Sequence, residues 1–373
     1  MLTPLASSLF LAFLLGQTPG ATALKRVPAF PSFADLSTRA DQARDANRLD
    51  EAMDLYRKAL RVKPDWKEGW WNLGSIAYDR DKYTECASSF QKLTALEPDM
   101  APGWTMRGMC DYRLKRYDLA MRSLVHADRL GFKEPPQLAT SGKLHFALVL
   151  TKTGSFERAI VILTEMTRTG QKSPETVTAS GIAGLRRPLV PPEVPEADRD
   201  LVMKLGDAMT SAMESDAKSA IPKFEAVAAE FPTEPNVHFR FGAYLMSQEP
   251  ERGIKEIEKT LELDPMHVPA LVSLAMIYLK RGDLDKAKEY AQRSVDTSPG
   301  DFAPHIALGR VKLEADDAEG AARELETAVR IAPDVQEAHF SLASAYSRLG
   351  RKADAEKERE EFRRLKKLSD KPQ

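Results

Sequence analysis

Six prolines punctuate this chain at a nearly constant interval. Pro64 and Pro98 stand 34 residues apart, and Pro232, Pro265, Pro299 and Pro333 follow one another at steps of 33, 34 and 34. Each closes an apolar stretch of helical periodicity. Proline ends such a stretch because it cannot extend the hydrogen-bond ladder and biases the preceding residue toward extended geometry. A period of this length means stacked copies of one supersecondary unit, each leaving apolar surface that only its neighbours can cover.

The same chemistry recurs inside each period. The first half carries a large residue, another three positions on, then a small one: Trp70, Leu73, Gly74; Leu271, Leu274, Ala275; His339, Leu342, Ala343. These spacings put the three side chains on one helix face. A small residue opens the second half, with a bulky one four later: Ala52 and Tyr56, Cys86 and Phe90, Ala120 and Leu124, Ala220 and Phe224, Ala321 and Leu325. This predicts two antiparallel helices whose backbones approach where Gly or Ala leaves room. Pro102, Pro269 and Pro304 fall in the opening turn of the following helix, where a missing amide hydrogen costs nothing.

Leu271-x2-Leu274-Ala275-x2-Tyr278, then Ala287, then Pro299, resembles the tetratricopeptide repeat. The resemblance implies an all-α fold, an α-solenoid wound as a right-handed superhelix of tandem helix-turn-helix units. Nine units are expected, at 33–66, 67–100, 101–134, 140–173, 201–234, 235–267, 268–301, 302–335 and 336–369. Ala291 departs from the bulky second-helix position, and units three and four lack the closing proline.

The period is lost at 174–200, where Pro174, Pro188, Pro191, Pro192 and Pro195 crowd together. No continuous helix passes through this stretch, although Glu175 to Arg187 suits one degenerate helix, weakened by Gly181 and Gly184 at about 1 kcal/mol each. The expectation is an N-terminal array of four units (33–173), a proline-rich break, either rigid kink or hinge, at 174–200, and a C-terminal array of five (201–369). The last helix, roughly Asp354 to Lys367, is dense in charge and suits a terminal cap; a charged tail for partner binding is the alternative. Residues 370–373 are a short tail.

The start of the chain differs. Leu5 to Leu15 is apolar apart from Ser7 and Ser8, followed by Gly16, Pro19, Gly20 and Ala21-Thr22-Ala23. That reads as a signal peptide over 1–23, cleaved after Ala23, with 24–32 as a linker and the mature protein periplasmic or secreted. The run is too short to span a bilayer, so no stable membrane span is expected after cleavage. No Lys or Arg precedes the run, and an uncleaved, membrane-associated tail is the alternative. Cys86 and Cys110 are too few for a disulfide framework. They read as two small buried thiols or, in an oxidising compartment, as a bridge between consecutive helices.

Lys plus Arg number 54 against 55 acidic residues, mixed along the chain, which leaves no net field for nucleic acid or anionic lipid. No phosphate-cradling loop, nucleophile elbow, metal-binding His pair or paired-Cys motif occurs, so neither cofactor nor metal is expected and the chain reads as no enzyme. His305 and His339 stand one period apart where other units carry Trp or Leu, and read as packing residues.

The resemblance implies a concave groove lined by first helices that takes a protein or peptide partner. The groove residues expected in the N-terminal array are Trp71, Ser75, Tyr78, Thr105, Met109, Tyr112, Leu144 and Leu148, with Thr151 beside them; Val272, Met276 and Leu279 continue the strip. It is apolar and aromatic, suited to an extended segment or helix. Some members of the family grip a terminal carboxylate with Lys and Asn on first helices, where this chain has Trp71 and Ser75. Glu68, Arg113, Lys280, Arg310, Glu314 and Arg348 line the groove with mixed charge, Arg310 and Glu314 forming an i,i+4 pair. The expected function is an exported, non-catalytic scaffold for protein–protein interaction in envelope assembly or secretion. A glycan-processing enzyme with carboxylates converging in the groove, or a self-associating structural module, are the alternatives.

Overall fold

A computed structural model describes residues 31–132, 135–214 and 217–369; the expected signal peptide, most of the linker and the tail lie outside these. Among the described residues the regular structure is helical throughout. The structure divides into two compact units between Pro64 and Asp65.

The first unit is one hairpin, α1 (Phe33–Asp45) and α2 (Leu49–Val62). Leu36, Ala40 and Ala43 are buried on α1, and Ala52, Met53, Tyr56 and Ala59 on α2. The Tyr56 hydroxyl donates to Asp41 at 2.7 Å.

The second unit continues the hairpins: α3 (Lys67–Asp79) with α4 (Tyr83–Leu96), α5 (Ala101–Arg113) with α6 (Tyr117–Arg129), and α7 (Pro136–Lys152) with α8 (Phe156–Arg168). After a single helix α9 (Pro174–Gly184), pairing resumes with α10 (Arg199–Met213) and α11 (Ala217–Glu230), then α12 (Pro235–Leu245) and α13 (Pro250–Leu263). Three further pairs complete it: α14 (Val268–Arg281) with α15 (Leu284–Thr297), α16 (Phe302–Glu314) with α17 (Ala318–Ile331), and α18 (Gln336–Arg348) with α19 (Lys352–Ser369). The helices are those the period predicts.

The packing rule inside each hairpin is the expected one. A Cβ placed on Gly74 would lie 2.7 Å from the Phe90 ring, one on Gly108 2.6 Å from Leu124, and one on Gly309 2.5 Å from Leu325. The small residue of the first helix is therefore the seat of the bulky residue of the second. Ala52, Cys86, Ala120, Ala287, Ala321 and Ala355 are all fully buried. Between the helices of a pair, one residue takes a left-handed conformation at Asn47, Asp81, Lys115, Gly154, Gly282, Asp316 and Gly350. That residue turns the chain and lets the next amide return to a carbonyl of the last helical turn, as Lys82 N–H does to Ala77 at 2.8 Å.

The degenerate helix of the break is α9, which starts at Pro174, is capped by a reciprocal Ser173–Thr176 pair and ends at Gly184. Its Gly181 and the Gly206 of the facing helix α10 are explained by close contact: a Cβ on Gly181 would collide with the Val202 carbonyl, and one on Gly206 with that of Val177. Two helices touch backbone to backbone here. Beyond α9 the chain passes through two 3₁₀ turns, Pro191–Glu193 and Glu196–Asp198. Val190 packs among Ala120, Leu124 and Phe146 of the repeats before the break, whereas Val194 joins the core of α10 to α12. Arg240 of α12, itself buried, donates to the Gly184 carbonyl at 3.3 Å and to Glu157 of α8 at 3.0 and 3.2 Å.

At the C-terminal end, α19 carries ion pairs from Arg363 and Arg359 to Glu356 and from Arg364 to Glu361, with Leu365 and Ala355 turned inward.

Candidate functional site

The first helices α3, α5 and α7 carry the residues expected to face a partner, and the structure separates them into two groups. Trp71, Ser75, Tyr78, Tyr112 and Leu144 are half-buried, with surface left to offer. Thr105, Met109 and Leu148 are buried, at 2, 5 and 6% exposure, and Thr151 wholly so; these leave the set of accessible residues. For Thr105 the cause is close packing of α7 on α5: a Cβ on Gly142 would collide with the Thr105 methyl group at 2.5 Å, so α7 covers it. Single-helix periodicity gives the face a residue points from, whereas its cover depends on the next repeat.

Trp71 packs edge to face on Phe90, ring centres 5.4 Å apart. It thus serves the core with one edge and remains half-exposed. Trp104 belongs to the repeat itself: its indole N–H donates to the Pro98 carbonyl at 2.7 Å and its ring lies 4.3 Å from that of His126.

Along the edge where first helices meet second helices runs a line of aromatic and cationic groups. Tyr78 meets Tyr83 at 5.6 Å, Tyr112 meets Tyr117 at 6.0 Å, and His145 meets Tyr112 at 4.9 Å. Arg113 lies over the Tyr83 ring and Lys152 over that of Tyr117. Burial, and then the hydrogen bond to Asp81, push the Tyr83 hydroxyl up to about 12. Burial likewise raises Tyr112 and Tyr117, so all three are donors at neutral pH. Sequence patterning named Tyr78 and Tyr112; it missed Tyr83, Tyr117 and His145. The signal was present, since Tyr83 and Tyr117 stand 34 residues apart at the start of successive second helices.

The later repeats carry a second strip. Val272, Met276 and Leu279 are half-buried, and Met276 and Leu279 line an open cleft of about 650 Å³ with Met246, Lys280 and Arg310. Arg310 pairs with Glu337 of the next repeat rather than with Glu314, because the neighbouring hairpin brings a carboxylate closer than the same helix does. Arg113 and Arg348 likewise meet exposed acids, Asp81 at 3.5 Å and Asp316 at 3.2 Å.

Cys86 and Cys110 are joined as a disulfide between α4 and α5, with Cα atoms 5.9 Å apart, within the span such a bond requires. Both are fully buried. Of the two readings left open above, the structure takes the bridge. Among the described residues, no group of three His, Cys, Asp or Glu is placed to hold a metal, and no helix is long and apolar enough to cross a membrane.

Histidines occupy the fourth position of later first helices. The Nε2 atoms of His238, His305 and His339 each lie 3.0 Å from the carbonyl of the proline closing the previous unit (Pro232, Pro299, Pro333). Their Nδ1 atoms face Glu256, Glu324 and Glu358 at 2.8, 2.8 and 2.6 Å. His305 and His339 are packing residues, as expected, with a polar duty added, and His238 repeats the arrangement.

Comparison with known proteins agrees with the geometry. The family model of the tetratricopeptide repeat matches residues 37–101, 243–302 and 306–364. A 46-residue stretch is 39% identical to human protein O-mannosyl-transferase TMTC1, covering 12% of this chain and 5% of that protein. A 108-residue stretch is 32% identical to the peroxisomal targeting signal receptor of Pichia angusta, covering 28% of this chain and 19% of that one. The chain thus spans a twentieth and about a fifth of the length of these relatives. Among solved structures, the Cut9–Hcn1 hetero-tetramer of the APC/C aligns over 90% of this chain and 88% of its own at 13% identity and a TM-score of 0.42, too loose a likeness to add to what the helices show. With helix pairs at the expected period, small-on-large packing within them, and three matched stretches, the chain belongs to the tetratricopeptide-repeat family.

Proposed function

We propose that this chain is an exported, non-catalytic scaffold that holds a segment of another protein against the first-helix face of its N-terminal repeats, in envelope assembly or secretion. The observation that carries the reading is the half-buried aromatic set Trp71, Tyr78 and Tyr112 on α3 and α5, large rings fixed by packing with surface still to offer. Rigid aromatics of this kind supply contact area at low entropic cost, and binding energy concentrates on them. One relative with matching sequence is, by its name, a receptor for a targeting signal.

Export is supported by the leader-like start and by the Cys86–Cys110 bridge, since disulfides persist chiefly in oxidising compartments. The expected mature chain begins at Leu24. N-terminal sequencing of protein recovered from the producing cell checks this, and a retained Met1 contradicts it. For the binding face, capture from envelope extracts is compared between the wild type and the Trp71→Ala, Tyr78→Ala double variant. Loss of a partner from the variant is the expected result; an unchanged set of partners removes this face from the account.

A further inference from the structure

One constellation occurs twice on the N-terminal repeats. In the third repeat, Tyr112 and Tyr117 meet edge to face at 6.0 Å, and Lys152 of the following repeat lies 5.5 Å above Tyr117. In the second, Tyr78 and Tyr83 meet edge to face at 5.6 Å, and Arg113 of the following repeat lies 4.4 Å above Tyr83. The two tyrosine pairs are one repeat, 34 residues, apart.

They differ in the acid they hold. The third-repeat site is filled by Glu193 from the proline-flanked turn Pro191–Glu193, far along the chain. Its carboxylate accepts from Lys152 Nζ at 2.6 Å, from the Val190 N–H at 3.2 Å and from the Tyr117 hydroxyl at 3.4 Å, while Val190 itself is buried against the repeat core. Burial pushes the Glu193 carboxyl up, but Lys152, Val190 N–H and Tyr117 together hold it below the usual range. In the second repeat the acid is Asp81, from the tight turn between α3 and α4. It accepts from the Tyr83 hydroxyl and sits 3.5 Å from Arg113, with its side chain 77% exposed. So exposed a pair is weakly held and exchanges readily. An open cleft lined by Tyr83, Ser88 and Leu114 adjoins it.

We propose that Tyr78, Tyr83 and Arg113 form a subsite for the carboxylate of an extended, proline-flanked acidic segment of a partner protein, which displaces Asp81 as Glu193 fills the next repeat. The molecule carries its own model of the ligand. The inference rests on the binding face proposed above and names the chemistry that one part of it recognises.

The probe is a synthetic peptide with the sequence of residues 188–195, Pro-Leu-Val-Pro-Pro-Glu-Val-Pro, titrated calorimetrically into the full oxidised chain. Arg113→Ala is expected to weaken binding about tenfold, as is Glu→Gln in the peptide, because a charge-assisted hydrogen bond is lost in each. Asp81→Asn is expected to strengthen it by removing the competitor. Arg113 and Asp81 are exposed, so neither change threatens folding. Absence of binding, or binding indifferent to Arg113→Ala, overturns the proposal. So does binding that falls with Lys152→Ala alone, since the peptide has then only exchanged with its own copy. If the peptide fails while the Trp71→Ala, Tyr78→Ala variant still loses its partner, the carboxylate subsite falls and the broader face stands.

Discussion

The repeats before the break and those after it solve the same junction with different side chains. At the fourth position of its first helix, the third repeat places Trp104, and three later repeats place His238, His305 and His339. In each, a ring N–H reaches the carbonyl of the proline six residues earlier, at 2.7 Å for Trp104 and 3.0 Å for the histidines. The donor ties the carbonyl of the inter-unit proline, just beyond the end of the preceding helix, to the next first helix. The histidines do more, since their second nitrogen meets a glutamate of the following helix. The early junction therefore adds aromatic area and a disulfide to the shared hydrogen bond, and the late ones add a histidine–glutamate contact.

That contrast can be broken most severely at the disulfide. Ala occupies the Cys86 position in other repeats (Ala120, Ala287, Ala321), so Cys86→Ala with Cys110→Ala removes the cross-link with little change in packing. The bridge spans 24 residues, and its loss is expected to cost about 3 kcal/mol. Hydrogen exchange should accelerate in α4 and α5 and not in α14 to α17; uniform acceleration refutes a local staple. Next in size is Gly74→Leu, which drives a side chain into the Phe90 ring and should cost about 1–3 kcal/mol. An unchanged melting temperature contradicts the packing register.

The polar junctions give a sharper distinction. His339→Phe is expected to cost about 1–3 kcal/mol, because it takes the donor from the largely buried Glu358 carboxylate as well as from the Pro333 carbonyl, whereas Trp104→Phe loses one neutral hydrogen bond at about 1 kcal/mol. Equal costs remove the contrast.

Two histidines of the later repeats should also titrate with opposite sign. The hydrogen bond to Glu256, set against burial, raises His238 above the ordinary 6.5. Its contribution is complete below that value and is lost as pH rises through the folded-state pKa. His267 is lowered to about 4, by burial first and then by Arg186. It caps α14 by accepting from the Ala270 N–H at 3.2 Å, which requires the neutral ring. Its contribution is complete above 6.5 and is lost as pH falls from there to about 4. Denaturation of His267→Asn is expected to show a flatter pH profile in that acid window, and His238→Asn a flatter one above 6.5; identical profiles for the two variants contradict the assignment. The smallest effect is at Lys115, held left-handed at φ 58°. Lys115→Gly should stabilise by up to about 1 kcal/mol, checked by the denaturation midpoint.

Nearly all of the fold was legible in the sequence because it is local. Pro64, Gly74, Ala52 and Phe90 state where a helix stops and where two helices cross, and α9 showed in the run around Glu175. What escaped depends on contacts between distant repeats. Arg240 reaches Glu157 across 83 residues and Glu193 reaches Tyr117 across 76, and no periodicity encodes either. The candidate face was legible in part for the same reason. Tyr78 and Tyr112 follow from position along their own helices, while the burial of Thr105 follows from how closely α7 approaches α5, and that of Leu148 from the cluster it joins with Ala179 and Ala183 of α9.

The central claim, that the N-terminal first-helix face is where a partner is held, is tested most directly by placing a photo-crosslinking side chain at Tyr78 and, separately, at Val161, an exposed apolar residue on second helix α8. Irradiated in the producing cell, the Tyr78 position should yield a protein adduct that Asp81→Asn does not abolish, and the Val161 position should yield none. Adducts from Val161 with none from Tyr78 contradict the claim.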